Sequence, residues 1–264
     1  MNHTKIDWCD MSWNPITGCL HGCDYCYASK HAKRFEGYDT QYGASFELYN
    51  DLYTLEKPLY KTLANAQPPD NKSRAMYPFG FEPTFHRYRL HENGLAEEKT
   101  PQTIFVGSMC DMFGSWVPDG AIEQIFDVCA SAPHHRYMFL TKNPTRYHKL
   151  MIKGLLPKGD NFWFGFSATN QEMIEWVNLR CSWLDRNTFV SVEPIHGPVD
   201  LSIERRIRWV IVGAETGPGA DKHRPQRGCI EGIADACLAT GTPLYMKGNI
   251  ADVWGAELIQ EFPW

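Results

Sequence analysis

FWFGF, residues 162–166, is a continuous run of aromatic residues around one glycine, and it is one of six short apolar segments. The others are TIFVG (103–107), RYMFL (136–140), TFVSV (188–192), WVIVG (209–213) and PLYM (243–246). Strands of a parallel sheet covered on both faces have this composition, because neither side of such a strand meets water. The six segments therefore predict buried parallel strands.

Helical patterns separate these strands. They run over residues 119–130, 145–152, 171–183 and 228–239. Asp119 after Pro118 is a typical helix start, and Gly241 is a typical helix stop. Regular strand–helix alternation predicts a single α/β domain over residues 1–264, with a partial (β/α)6-type TIM-like barrel. No G-x-G-x-x-G turn follows a strand, so the dinucleotide-binding fold lacks its signature.

Residues 36–100 differ in composition from the rest. They are rich in aromatic residues and interrupted by prolines, and a polar run covers residues 67–74. We interpret this stretch as an insertion after the first strand–helix unit, covering the barrel mouth.

Composition excludes several protein classes. The 264 residues are 43% hydrophobic and 22% charged, which is ordinary for a folded domain and excludes disorder or a coiled coil as the main theme. No window is apolar enough for a membrane helix, and the first ten residues lack a secretory pattern, so we expect a cytoplasmic protein. A net charge of −5 argues against a protein built mainly to neutralise phosphates.

The most informative segment is TGCLHGCDYCYA, residues 17–28. Cys19, Cys23 and Cys26 have the spacing C-x3-C-x2-C, so three thiolates can converge on one soft metal centre. Structural zinc requires four ligands, for which Cys9, His21 and His31 are the nearest other candidates. A [4Fe–4S] cluster held by these three thiolates would leave one iron open. The spacing favours the cluster over a Cys3His zinc site or unliganded core thiols.

This spacing, with the aromatic Tyr25 before the last cysteine, resembles the radical S-adenosylmethionine (SAM) superfamily. Residues 104–119 and 139–147 are similar to the branch that contains spore photoproduct lyase. The chain resembles most closely a phage and bacterial radical-SAM-like family without an assigned substrate. The blocks that carry this resemblance are WNPITGC (13–19), VGSMCDMF (106–113), LTKNP (140–144), VSVEPIHGPVDL (190–201) and WVIVGAETGPGA (209–220).

The resemblance implies a definite chemistry. SAM would chelate the open iron, and one electron from an external reductant of the flavodoxin or ferredoxin type would cleave it to methionine and a 5′-deoxyadenosyl radical. The radical would then abstract a hydrogen atom from the substrate. The chain must supply groups that bind SAM and a dry cavity that places one C–H bond near the radical.

Polar residues follow the predicted strands, where a barrel places its site. A carboxylate there can accept hydrogen bonds from SAM, Lys142 can balance the SAM carboxylate, and Tyr25 can pack beside adenine. The predicted SAM contacts are Tyr25, Ser108, Asp111, Lys142, Ser167, Glu193 and Glu215. Cys110, in the loop after the predicted strand TIFVG (103–107), is either a hydrogen-atom donor or a small buried residue. We interpret Cys129, Cys181 and Cys237 as core residues.

The substrate is the least determined part. Resemblance to the photoproduct lyase branch favours a nucleic-acid base, nucleotide or DNA lesion. Two basic strips, residues 134–149 with Tyr137 and Tyr147 interleaved and residues 205–208, are typical of nucleic-acid contacts or of solvated surfaces. The acidic net charge favours a small molecule or peptide. Two hypotheses other than a radical enzyme stay open. One is a zinc-stabilised, non-catalytic binding protein of a phage or defence system, and the other is an electron-transfer iron–sulfur protein.

Overall fold

The computed structural model describes residues 1–34, 64–65, 77, 79–91, 94–182, 184–201, 206–217 and 220–264. Most of the predicted insertion, together with Trp183, Arg205 and the side chain of Cys181, lies outside the described part. In the described part no helix is both long and apolar enough to cross a membrane.

Strands account for the fold class, and the six predicted from the sequence are all present. In chain order the described strands are β1 (Asn2–His3), β2 (Met11–Trp13), β3 (Ile16–Thr17), β4 (Ala64–Asn65), β5 (Thr84–Phe85), β6 (Thr103–Val106), β7 (Arg136–Thr141), β8 (Phe162–Ala168), β9 (Asn187–Val192), β10 (Ile207–Val212) and β11 (Leu244–Met246). All seven residues of β8 are buried, as its apolar composition requires.

Helices follow the strands as the patterns predict. They are α1 (Tyr27–Ala32), α2 (Asp119–Ser131), α3 (Pro144–Ile152), α4 (Gln171–Cys181), α5 (Arg227–Thr240) and α6 (Ala251–Trp254), with short 3₁₀ turns at Arg87–Leu90, Ala220–His223 and Gly248–Ile250. Pro118 occupies the N-cap of α2, and Gly241 ends α5 in the left-handed conformation at φ 68°. Both predicted boundary signals are confirmed.

The larger sheet has eight strands in the order β1-β2-β6-β7-β8-β9-β10-β11 and is mostly parallel. β1 is antiparallel to β2, whereas β2–β6, β8–β9, β9–β10 and β10–β11 are parallel. A smaller sheet has the order β3-β5-β4. The protein is therefore of mixed α/β class with a mostly parallel sheet. Among the described strands no closure of this order into a barrel is seen, so the barrel stays a prediction.

Two compact units are distinguished by their internal contacts: 1–3 with 11–137, and 4–10 with 138–264. In the first unit, helix α2 buries Ile122, Ile125 and Phe126 on one face. In the second unit, the core includes Phe139, Phe164 and Phe189, each fully buried. Cys129 and Cys237 are buried, as predicted for core residues.

The second unit is completed by two segments distant in sequence. The Tyr245 hydroxyl donates to the Asp7 carbonyl oxygen at 2.7 Å, which attaches residues 4–10 to β11. Residues 259–261 bond along β11, where the Met246 amide donates to the Ile259 carbonyl at 2.7 Å. The ring of Trp209 meets that of Trp264 edge-on at 5.2 Å.

Candidate functional site

The loop that carries the three cysteines, here called the cysteine loop, connects β3 to α1 in the first unit. Backbone hydrogen bonds hold its first residues, Gly18 and Cys19, in place. Gly18 donates its N–H to the Met109 carbonyl at 2.9 Å, and the next N–H, from Cys19, donates to the Phe81 carbonyl at 3.2 Å. Gly18 has φ +85°, and a Cβ there would lie 2.3 Å from the Glu82 carbonyl oxygen. Glycine is therefore required for the loop to approach the backbone at Glu82.

Cys26 forms the N-cap of α1. Its Sγ accepts the Ser29 N–H at 3.3 Å, and its own N–H donates to the Cys23 carbonyl at 3.0 Å. Cys26 also packs against a small cluster that contains Tyr77 and Met109. One turn of backbone thus holds the second and third cysteines of the loop.

The pKa of the Cys19 thiol depends on its burial and on nearby charges, including those of Cys23 and Cys26. The pKa of Cys19 is raised to about 12, mainly by burial. The hydrogen bond from the His21 backbone N–H lowers this pKa, and the charges of Asp111, Cys26 and Cys23 raise it. A thiol with this pKa stays protonated at neutral pH without a cation, and the thiolate is the form that binds metal. A positive centre bound by the loop would favour the thiolate form of Cys19.

The number of cysteines in the loop decides which metal centres it could hold. Structural zinc takes four ligands, so three thiolates would leave one coordination position to be filled by another residue. A [4Fe–4S] cluster binds each thiolate to a different iron, so Cys19, Cys23 and Cys26 could hold three of its four irons.

Asp111, predicted as a SAM contact, lies beside this loop. Its Oδ2 is 2.7 Å from Nε2 of His21, and its Oδ1 accepts the Phe113 N–H at 3.0 Å. The His21 ring meets the Trp116 ring edge-on at 5.1 Å. The carboxylate therefore orients the histidine that stands between Cys19 and Cys23.

Ser108 is held by Asn14, a residue that sequence reasoning missed. The Asn14 amide donates to Ser108 Oγ at 3.1 Å, and Asn14 Oδ1 accepts the Met109 N–H at 2.9 Å. The hydroxyl of Tyr27 donates to the Ser108 carbonyl. Asn14 stands within the WNPITGC block, directly after β2, and a polar residue at a strand end was the available signal.

Cys110 also adjoins the cysteine loop, since it bridges to Gly18 through the backbone. Burial raises the pKa of its thiol well above the usual value, and the charges of Asp111 and Cys19 act in the same direction. The thiol is therefore neutral at physiological pH. Tyr25, between Cys23 and Cys26, is half-buried.

The remaining predicted SAM contacts belong to the second unit. Ser167 is a buried residue of β8, opposite Ser191 of β9, and Lys142 directly follows β7. Glu193 follows β9 and forms an ion pair with Lys247. A Cβ at Gly213 would lie 2.9 Å from Cδ of Lys247, so glycine leaves room for this pair.

Glu215 follows β10 in the same unit, and two histidines that sequence reasoning missed accompany it. The ligand atoms of His196, Glu215 and His223 all lie within 4.8 Å of one another. His196 stands a few residues after β9, close to Glu193 in sequence, so the signal that selected polar residues at strand ends could have selected it too.

The aromatic residues of the predicted nucleic-acid strip are buried. Tyr137 and Tyr147 are at most 1% exposed, and their hydroxyls donate to the carbonyls of Ala132 and Gly165. His135 is buried as well, with Nε2 2.8 Å from the Leu95 carbonyl. These rings belong to the core because their strand and helix faces point inward, so they offer no stacking surface for bases.

Comparison with known proteins gives one family. A family described as "Protein of unknown function (DUF5131)" matches residues 3–257. No curated protein and no solved structure matches the chain.

Proposed function

The chain belongs to this DUF5131 family, and we propose that it is a radical SAM enzyme with a [4Fe–4S] cluster on Cys19, Cys23 and Cys26. One observation carries the proposal. Three cysteines lie on one loop whose backbone is fixed by hydrogen bonds, and the charges of Cys23 and Cys26 raise the pKa of the Cys19 thiol. Three thiolates leave the fourth iron without a protein ligand, and that position is where SAM would bind.

A cluster bound there supplies one electron, delivered by an external flavodoxin- or ferredoxin-type reductant, for cleavage of SAM to methionine and a 5′-deoxyadenosyl radical. The chain's own groups tune and orient the thiolates. The His21 backbone N–H donates to the Cys19 sulfur, and the Ser29 backbone N–H donates to the Cys26 sulfur. Hydrogen bonds to ligand sulfurs stabilise their negative charge and raise the reduction potential of the centre.

Asp111 and Ser108 are the SAM-binding candidates of the first unit, together with Tyr25. Asp111 already holds His21, and Ser108 is fixed by Asn14, so both side chains are ordered before any ligand arrives. Preordered polar groups bind at lower entropic cost. In the second unit, Lys142, Ser167 and Glu193 are separate candidates, and Glu215 is considered further below.

Cys110 is proposed as a hydrogen-atom donor to a product radical. A thiol can donate a hydrogen atom only when protonated, and burial keeps the Cys110 thiol in that form. The proposed architecture is a partial (β/α)6-type barrel in a cytoplasmic protein, where a reducing compartment would protect the cluster.

For the substrate we propose a nucleic-acid base, nucleotide or DNA lesion, on the resemblance to the photoproduct lyase branch. A specific observation favours the second candidate, a small molecule or peptide. The two tyrosines of the basic strip are buried and cannot stack on bases. A non-catalytic zinc protein and an electron-transfer iron–sulfur protein are the alternatives that the first experiment must separate.

Anaerobic purification with iron, zinc and acid-labile sulfide analysis tests the centre. We expect about four irons and four sulfides per chain, a brown colour, and a change in the electron paramagnetic resonance spectrum of the reduced cluster when SAM is added. Cys23→Ser should lose the iron, whereas Cys9→Ser, which alters a half-buried thiol of the second unit, should retain it. Zinc in place of iron would support the binding protein, and a spectrum indifferent to SAM would support electron transfer.

A further inference from the structure

Two histidines and one glutamate in the second unit form a compact donor set outside the cysteine loop. Nδ1 of His223 lies 3.3 Å from Oε2 of Glu215. The rings of His196 and His223 are nearly perpendicular, with centroids 5.8 Å apart. The ligand atoms of all three side chains lie within 4.8 Å of one another. Among the described residues, this is the group of three or more histidine, cysteine or acidic side chains that lies so close together.

The backbone that presents these side chains is held at the carboxyl ends of neighbouring parallel strands. The His196 N–H donates to the Thr169 carbonyl at 3.1 Å, after β8. Next to Glu215, the Asn249 side chain accepts the Ala214 N–H at 3.1 Å and donates to the Ala214 carbonyl at 2.8 Å. Hydrogen bonds between loops therefore fix the backbone at His196 and beside Glu215, and His223 is the last residue of the 3₁₀ turn Ala220–His223.

We propose that His196, Glu215 and His223 bind a divalent first-row transition cation. Two imidazole nitrogens and one carboxylate oxygen suit zinc, iron(II) or cobalt(II), whereas magnesium and calcium prefer oxygen ligands alone. Ligand atoms bound at about 2.1 Å to a tetrahedral ion lie about 3.4 Å apart. Nδ1 of His223 and Oε2 of Glu215, which contact each other as an ion pair at 3.3 Å, are close to this spacing.

The exposure of the group fits a site that a cation can enter. The Glu215 side chain is 7% exposed, so its negative charge sits in a poorly solvated position, and the His223 side chain is 56% exposed. A cation would neutralise the charge of the buried carboxylate, and the two exposed histidines would bind this cation from the solvent side. This assignment gives Glu215 a metal-binding role in place of the SAM contact predicted from its position.

Cobalt(II) is the probe that separates this site from the cysteine loop. Thiolate ligands give cobalt an intense near-ultraviolet charge-transfer band, whereas nitrogen and oxygen ligands give only weak visible bands. The full chain with Cys19→Ser, Cys23→Ser and Cys26→Ser should bind one cobalt(II) with visible bands alone. This readout is independent of SAM, so it can succeed or fail separately from the proposed enzyme activity.

In that background, His196→Ala, His223→Ala and Glu215→Gln should each weaken cobalt binding by at least about tenfold, since each removes a direct ligand and the loss of even an outer-shell partner costs about 10- to 100-fold. His91→Ala, which replaces an exposed histidine of the first unit, should leave binding unchanged. Circular dichroism establishes that each variant is folded. The proposal is overturned if the background chain binds no cobalt, or if folded variants of all three residues bind it as tightly as their parent.

Discussion

At the scale of single residues, the cysteine loop depends on groups far away in the sequence. His21 and Asp111 are 90 residues apart, and Asn14 and Ser108 are 94 apart, yet both pairs are hydrogen-bonded beside the loop. The C-x3-C-x2-C spacing could be read from the sequence because it is local. The partners could not, since no short-range pattern specifies which distant side chain meets a histidine.

Asp111 and Glu193 are the two carboxylates that we expect to accept hydrogen bonds from SAM. Asp111→Ala and Glu193→Ala should each weaken SAM binding to the reconstituted protein by about 10- to 100-fold, the value of one charge-assisted hydrogen bond of about 1.5–3 kcal/mol. Isothermal titration under anaerobic conditions measures this. Glu123→Ala on α2 is the matched carboxylate control. Unchanged SAM affinity in either variant would remove that residue from the binding site.

At the scale of elements, the long strands and helices could be predicted and the short ones could not. β8 and β10 carry enough apolar residues to be recognised alone. β3 and β5 have two residues each, too few for any periodicity, and each residue pairs with one that lies more than 60 positions away in the chain. The insertion was inferred from composition alone, and most of it lies outside the described residues.

Gly18 and Gly22 make a matched pair for testing the turn. Both have positive φ, but a Cβ at Gly22 would meet nothing within 4 Å. Gly22→Ala should cost about 1–2 kcal/mol of unfolding free energy for the left-handed backbone. Gly18→Ala should cost about 2–5 kcal/mol, because overpacking adds about 1–3 kcal/mol. Urea denaturation compares the two variants, and equal losses would contradict the close approach to Glu82.

His86, directly after β5, should make the stability of the folded protein depend on pH under acidic conditions. Its Nε2 lies 2.8 Å from Thr17 Oγ1, and burial together with the nearby Arg89 holds its pKa well below 6.5. Below about pH 6.5 the unfolded chain takes up a proton that the folded chain refuses, so stability falls as the pH decreases. Above that pH this histidine contributes no pH dependence.

His86→Gln removes the titrating group while keeping an amide within reach of Thr17. The difference in thermal midpoint between pH 7.5 and pH 5.5 should therefore be smaller in the variant than in the parent protein. An identical difference in both proteins would show that another group causes the acid sensitivity.

At the scale of the whole molecule, the α/β class follows from the sequence because buried parallel strands are apolar along their whole length. The partial barrel stays a prediction, because the curvature of a sheet depends on how its strands are arranged in space and not on the composition of any one strand. The His196, Glu215 and His223 group shows the same limit. Its members come from two loops whose proximity is set by the parallel pairing of β9 and β10.

One-electron cleavage of SAM by this protein would release 5′-deoxyadenosine, so the amount of this product measures the proposed activity. Anaerobically reconstituted protein is mixed with dithionite and SAM, and the products are separated by chromatography. We expect 5′-deoxyadenosine from the parent protein and from Cys9→Ser, and none from the Cys19→Ser, Cys23→Ser or Cys26→Ser variants. Formation of the same amount of 5′-deoxyadenosine by those three variants, or none from a parent protein that holds its full cluster, would contradict the proposed activity.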